Sequence, residues 1–309
     1  MARTRQYYQA LGYGAPYAWA HFDEVPFTCL AKPLAACRVA LVTTAAPYQS
    51  GKGDQGPGAP TNAAAKFYAV YSASTAQEHD LRIAHVAIDR QHTSAEDPGS
   101  YFPLHALRRA VASGRFGAIT PNFHGAPTQR SQRTTLDVDG PEIVARCLRE
   151  AADVALLVAN CPVCHQSLSL IARLLEATGI ATVVLGCARD IVEHVGVPRL
   201  LFSDFPLGNA AGRPLDVPSQ DLTLALALRA LEEAQAPRFT LASPLPWSEH
   251  DDWKLDYCNV ERMSAHDIAQ RRAEFDHDKT QAREVRNETA PAASVGHDPA
   301  LERARGATP

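Results

Sequence analysis

Val154-Ala155-Leu156-Leu157-Val158-Ala159 runs without a polar break into Asn160-Cys161-Pro162-Val163-Cys164-His165-Gln166. Six consecutive apolar residues followed by turn formers predict a strand buried on both faces, the habit of parallel sheets covered by helices. The pattern then alternates. Ser167 to Thr178 carries apolar residues at helical spacing and ends at Gly179, and Thr182-Val183-Val184-Leu185-Gly186 is a second buried strand. Ala188 to Val195 predicts a helix and Leu200-Leu201-Phe202 a third strand. Strands separated by helices of this length call for βαβ units.

Working upstream, Pro141 to Ala152 reads as a helix, with Ile143, Val144, Cys147 and Leu148 on one face. Cys37 to Ala45 reads as another buried strand, ending in Thr43 and Thr44. Lys66 to Tyr71 and Arg82 to Ile88 are expected to be strands, Pro103 opens a helix closed by Gly114, and residues 121–133 read as irregular. The Gly/Pro-rich stretch 47–60 lacks phosphate-loop spacing and reads as a mobile loop. Downstream, Gln220 to Ala234 predicts a long helix. The fold expectation is α/β, a mainly parallel sheet with helices on both faces (Rossmann/flavodoxin-like) built as two α/β halves. The boundaries expected are an N-terminal extension at 1–36, halves at 37–135 and 136–260, and a C-terminal helix with a disordered tail at 261–309.

Composition narrows the function classes. Of the 309 residues 46% are hydrophobic and 21% charged, enough for a packed core and too little charge for a disordered chain. The formal charge of -4 lacks the basic excess of a general nucleic-acid binder. No apolar run reaches membrane-spanning length, and no apolar segment follows Arg3 and Arg5, so a cytoplasmic protein is expected. Residues 261–309 hold nine acidic and eight basic side chains, and Ser264 with Asp267 forms a capping pair for a surface helix to about residue 285.

Seven cysteines, an odd and sparse set, do not make a disulfide scaffold. Cys161 and Cys164 stand out by position. Sites in open parallel sheets form outside the carboxyl ends of strands, where Cys161 falls. A helix N-terminus favours a thiolate, and a second cysteine three residues on can resolve an adduct as a disulfide. Zinc is the weaker reading, because Cys161, Cys164 and His165 lack a second ligand pair at comparable spacing. Thr43 and Thr44 at the strand end, His92 and His124 in polar stretches, and Asp204 after the last strand are candidate substrate-binding residues, each with an ordinary structural alternative.

Cys161-Pro162-Val163-Cys164-His165-Gln166 resembles the active-site motif of the selenoprotein B subunits of glycine, sarcosine, betaine and D-proline reductases. The resemblance is strongest to the D-proline reductase type, in which selenocysteine precedes Pro-Val-Cys-His-Gln. It extends to His21 through Thr28, Lys32-Pro33-Leu34, Val39 through Thr44, Asp89, Glu96-Asp97-Pro98, Phe102-Pro103 and Trp253 through Tyr257, spanning about residues 7–285. It implies that Cys161, in the selenocysteine position, attacks a substrate carbon and that Cys164 resolves the adduct. It also implies a supporting role for His165, an external dithiol or thioredoxin-like reductant, and no tightly bound cofactor. A pyruvoyl-bearing partner subunit and a homo- or hetero-oligomer belong to the same implication. Two other readings compete: a cofactor-independent cysteine racemase, disfavoured because no cysteine follows Thr43-Thr44, and a non-catalytic subunit of a reductase complex.

Overall fold

In the computed structural model, which describes residues 1–128 and 130–289, the chain opens with helix α1 (Ala2–Ala10) and an extended stretch. It enters the core at β1 (Arg38–Thr43), where Val39 to Thr43 are all buried. Then come β2 (Ala46–Pro47), β3 (Tyr71–Ser74), β4 (Leu81–Arg82), α2 (Leu104–Ala112), β5 (Ala118–Ile119) and β6 (Asn122–Gly125). A turn of helix, α3 (Gln132–Thr134), passes through a π-helical turn (Thr135–Asp139) into α4 (Gly140–Arg149). The regular part follows as β7 (Val154–Val158), α5 (Pro162–Ala177), β8 (Ala181–Gly186), α6 (Arg189–Val195) and β9 (Arg199–Phe202). It ends with α7 (Val217–Glu233), β10 (Phe239–Ala242) and α8 (Ala265–Thr289).

One eight-stranded sheet runs β10-β9-β8-β7-β1-β6-β3, with β5 also paired to β1. Its pairs are parallel except β3 with β6. The mainly parallel α/β architecture expected from the β7 run is what forms, with helices flanking the sheet. Strands from both expected halves lie in this single sheet. From β1 the chain builds the β6 side and then returns on the other side as β7. The carboxyl ends of β1 and β7 therefore flank a switch point, the usual place for a ligand crevice in open α/β sheets.

Three local expectations are corrected. Lys66 to Val70 is irregular, and the edge strand is Tyr71–Ser74. Beyond Arg82 the stretch to Ile88 is not a strand, although Ile83, Val86 and Ile88 are buried. The Arg90 guanidinium donates to the carbonyls of Ala59, Ala84 and Val86, satisfying backbone groups that a neighbouring strand would otherwise pair. Finally, the stretch read as irregular at 121–133 contains β6, whose Asn-Phe-His-Gly sequence hides a strand locked between β1 and β3. The expected disordered end lies outside the described residues.

A buried ion pair ties the amino-terminal stretch to this core. Glu176 accepts from Arg199 at 2.8 Å, both side chains being fully buried, and from the Thr182 hydroxyl and the Thr28 and Thr182 backbone N–H groups. Arg199 also donates to the Thr28 carbonyl and stacks on Phe27. Among the described residues no helix is long and apolar enough to cross a membrane.

Candidate functional site

Cys161 sits where β7 gives way to α5, in extended conformation at the helix N-cap. Its sulfur accepts the Cys164 backbone N–H at 3.2 Å, the position that serine or aspartate oxygen usually fills. Pro162 follows at the first helical position, where its missing N–H costs nothing. The helix thus begins five residues earlier than the Ser167 periodicity indicates and takes both cysteines into its first turn.

The sulfurs are 2.6 Å apart, and both residues are free cysteines. They face different surroundings. Cys161 lines a cavity of about 470 Å³, whereas Cys164 is fully buried behind it. Thr128, at 3.5 Å, and Thr44 hydrogen-bond the Cys164 sulfur. Burial would raise the Cys164 thiol, but hydrogen bonds from Cys161, Thr128 and Thr44 outweigh it and bring the thiol below its ordinary range. Cys161 is driven well up, first by burial and then by its proton-sharing contact with Cys164. The two sulfurs share a proton, and the hydrogen-bond donors that favour a thiolate converge on the inner one.

The remaining residues of the motif face inward. His165 is fully buried; its Nδ1 contacts the Cys161 carbonyl at 2.7 Å, and its Nε2 accepts the N–H groups of Cys187 and Ala188 at 2.9 and 3.1 Å. Burial lowers its pKa to about 4, so the ring is neutral at pH 7 with both nitrogens occupied. A Cβ on Gly186 would lie 2.7 Å from this ring, so glycine is what lets the imidazole bridge α5 to the end of β8. Gln166 accepts from the Ala20 N–H and donates to the Tyr17 hydroxyl, clamping the amino-terminal stretch over the site.

Of the other expected residues, only Thr44 reaches the sulfurs; its hydroxyl also accepts from Asn160 at 3.2 Å. Thr43 accepts the Ala45 N–H and serves its own turn. His124 is fully buried against Ser72 at 2.8 Å. His92 lies between Asp89 and Asp256 at 3.0 and 3.3 Å, and Asp204 is paired with Lys254 at 2.6 Å; neither lines the Cys161 cavity. Sequence reasoning missed Thr128, Lys66, His85, Tyr8 and Tyr257. Thr128 followed an unrecognised strand, and the others come from segments whose site role depends on long-range folding.

The cavity is roofed by aromatic side chains. Tyr8, Tyr17 and Trp19 come from the amino-terminal stretch, Tyr257 from a loop and Phe275 from α8. Arg130 lies over the Tyr8 and Phe275 rings and pins them together. The helix read from sequence as surface decoration therefore closes the site, and its Ser264–Asp267 capping pair forms reciprocally.

Against known proteins, no family model and no solved structure matches the chain. A curated protein does: D-proline reductase subunit gamma of Acetoanaerobium sticklandii is 28% identical over 222 residues. The match takes in 72% of this chain and 88% of that subunit. The chain is a distant relative of that subunit. D-proline reductase subunit gamma thus agrees with the resemblance read from the Cys161 motif, across most of both chains.

Proposed function

We propose that this protein is a thiol-dependent reductase, acting within a reductase complex, that cleaves a C–N or similar bond in a small amino-acid-like substrate. The observation that carries the reading is the arrangement of the two sulfurs, with Cys161 on the cavity wall and Cys164 2.6 Å behind it. Cys164, held as thiolate by Thr44 and Thr128, takes the Cys161 proton as Cys161 attacks the substrate carbon. A C–S bond forms and the leaving group departs with the electron pair of its bond, taking a proton from solvent. Cys164 then gives up its proton and attacks the Cys161 sulfur. The disulfide forms, the carbon leaves with the C–S electron pair and takes that proton, and an external dithiol restores both thiols. Two electrons pass from the thiol pair to the substrate in each turnover. His165 acts here as a positioning residue, because its ring holds the Cys161 carbonyl and the β8–α6 turn.

The relative is by name one subunit of a reductase, which supports a partner subunit for this chain. Such a partner supplies the carbonyl that activates an amine leaving group, and sulfur in place of selenium makes that activation more important. The test uses dithiothreitol as donor and D-proline as first substrate, with and without a co-expressed partner. Cys161→Ser and Cys164→Ser should each abolish dithiol-dependent turnover, the first by removing the nucleophile and the second by removing both its base and the resolving thiol. Turnover surviving Cys161→Ser sinks the proposal. Deuterium entering a substrate α-position without dithiol consumption would favour the racemase instead.

A further inference from the structure

The cavity that holds Cys161 has an uneven charge distribution. Arg5, Lys66, Arg130 and Lys279 line it, and among the described residues no aspartate or glutamate does. Among the described residues, acidic side chains line the adjoining cavity of about 870 Å³, which shares part of its wall with this one. Lys66 and His85 belong to that wall. Arg5, Arg130 and Lys279 are exposed, whereas Lys66 is half-buried and its ammonium lies 5.4 Å from the centre of the Tyr68 ring.

His85 supplies an independent observation. It is 6% exposed, packs against Phe67, and its Nε2 has no hydrogen-bond partner. An unpaired buried polar atom is costly to keep, so its retention calls for an occupant. The ring lines the same chamber as Lys66, and among the described residues that chamber has no carboxylate of its own. Burial lowers both groups, His85 to about 3, with Lys66 and Arg90 further opposing a charge on the His85 ring, while the Cys161 and Cys164 sulfurs offset only part of the penalty on Lys66. An anion at this wall relieves both penalties together.

We propose that Lys66 and His85 form a carboxylate subsite, which binds the acid group of a small monocarboxylate and presents its body to Cys161. Lys66 supplies the charge and His85 a ring N–H, while Tyr8, Tyr257 and Phe275 enclose the remainder of the ligand. This deepens the reductase reading, on which it rests for the role of Cys161. The binding itself is measurable without turnover.

Two measurements test it. The first compares alkylation of Cys161 by iodoacetate and by iodoacetamide, assigned by peptide mass spectrometry to separate it from Cys258, with glutathione as reference. The wall should raise the iodoacetate-to-iodoacetamide rate ratio about tenfold over that of glutathione. Lys66→Met should return the ratio to the glutathione value, Lys66→Arg should keep most of it, and His85→Phe should lower it in part. The second titrates propionate, with propionamide as control, against the fluorescence of Trp19, which lines the cavity. Saturable binding of propionate alone, lost in Lys66→Met and kept in Lys66→Arg, supports the subsite. Equal response to propionate and propionamide, or no response in the unaltered protein, overturns it, whether or not Lys66→Met folds. A Cys161 inert to both reagents alongside Lys66-dependent propionate binding would refute the reductase reading and leave the subsite standing.

Discussion

Cys161 does two jobs with one sulfur: it caps α5 by accepting the Cys164 N–H, and it faces the cavity. Because a cap needs an acceptor, the sulfur is held in one place, which is the preorganisation that the proposed attack calls for. Thr128 is the residue through which the pair's charge can be tuned. A hydrogen bond to a charged group contributes about 1.5–3 kcal/mol, equivalent to roughly one to two pH units. Thr128→Val should therefore move the midpoint of the iodoacetamide rate profile up by about one pH unit, and Thr128→Ser should leave it near the original value. An unchanged midpoint in Thr128→Val would assign the stabilisation of Cys164 elsewhere. Thr128 was illegible in the sequence because its importance comes from register. Val42 pairs with His124 and Thr43 with Gly125, and that register carries the chain beyond β6 to the sulfur pair.

At the scale of elements, α5 is the hub. Its start carries the sulfurs, its His165 reaches the β8–α6 turn, and Glu176 in its last turn engages Arg199 of β9. Removing one partner of a fully buried pair leaves a charge without compensation and costs ~3–5 kcal/mol. Glu176→Ala should lower the urea midpoint accordingly, while Glu176→Met with Arg199→Met should lose much less than the sum of the single changes. A single change that leaves the midpoint in place would show that solvent reaches the pair. β7 and α5 were legible because a six-residue apolar run and a cysteine pair at a helix start are local signals. β3 and β6 were not, since Asn122, His124 and Gly125 carry no strand pattern, and Gly125 is there to admit the Tyr71 ring. The roof was equally hidden. Phe275 and Arg272 lie in the stretch expected to be a surface helix, but Arg272 donates to the Leu11 carbonyl and stacks on Tyr13, fixing the helix across the amino-terminal stretch.

At the scale of the whole molecule, three histidines remain neutral inside the fold. Burial lowers His85 to about 3 and both His124 and His165 to about 4, from an ordinary 6.5. Above pH 6.5 folded and unfolded chains carry these rings in the same neutral state. As pH falls below that value the unfolded chain takes up protons that the folded chain excludes, so stability declines until the folded pKa values are reached. Each ring contributes up to about 1.4 kcal/mol per pH unit in this window, and the three lie on separate elements, so their effects add. Urea midpoints should therefore drop steeply between pH 6.5 and 4.5. His124→Asn, which keeps a polar group opposite Ser72, should flatten the slope by about one-third. A midpoint constant across this window would mean that these rings protonate in place, and the neutral, doubly bonded His165 that fixes the start of α5 would then not exist in solution.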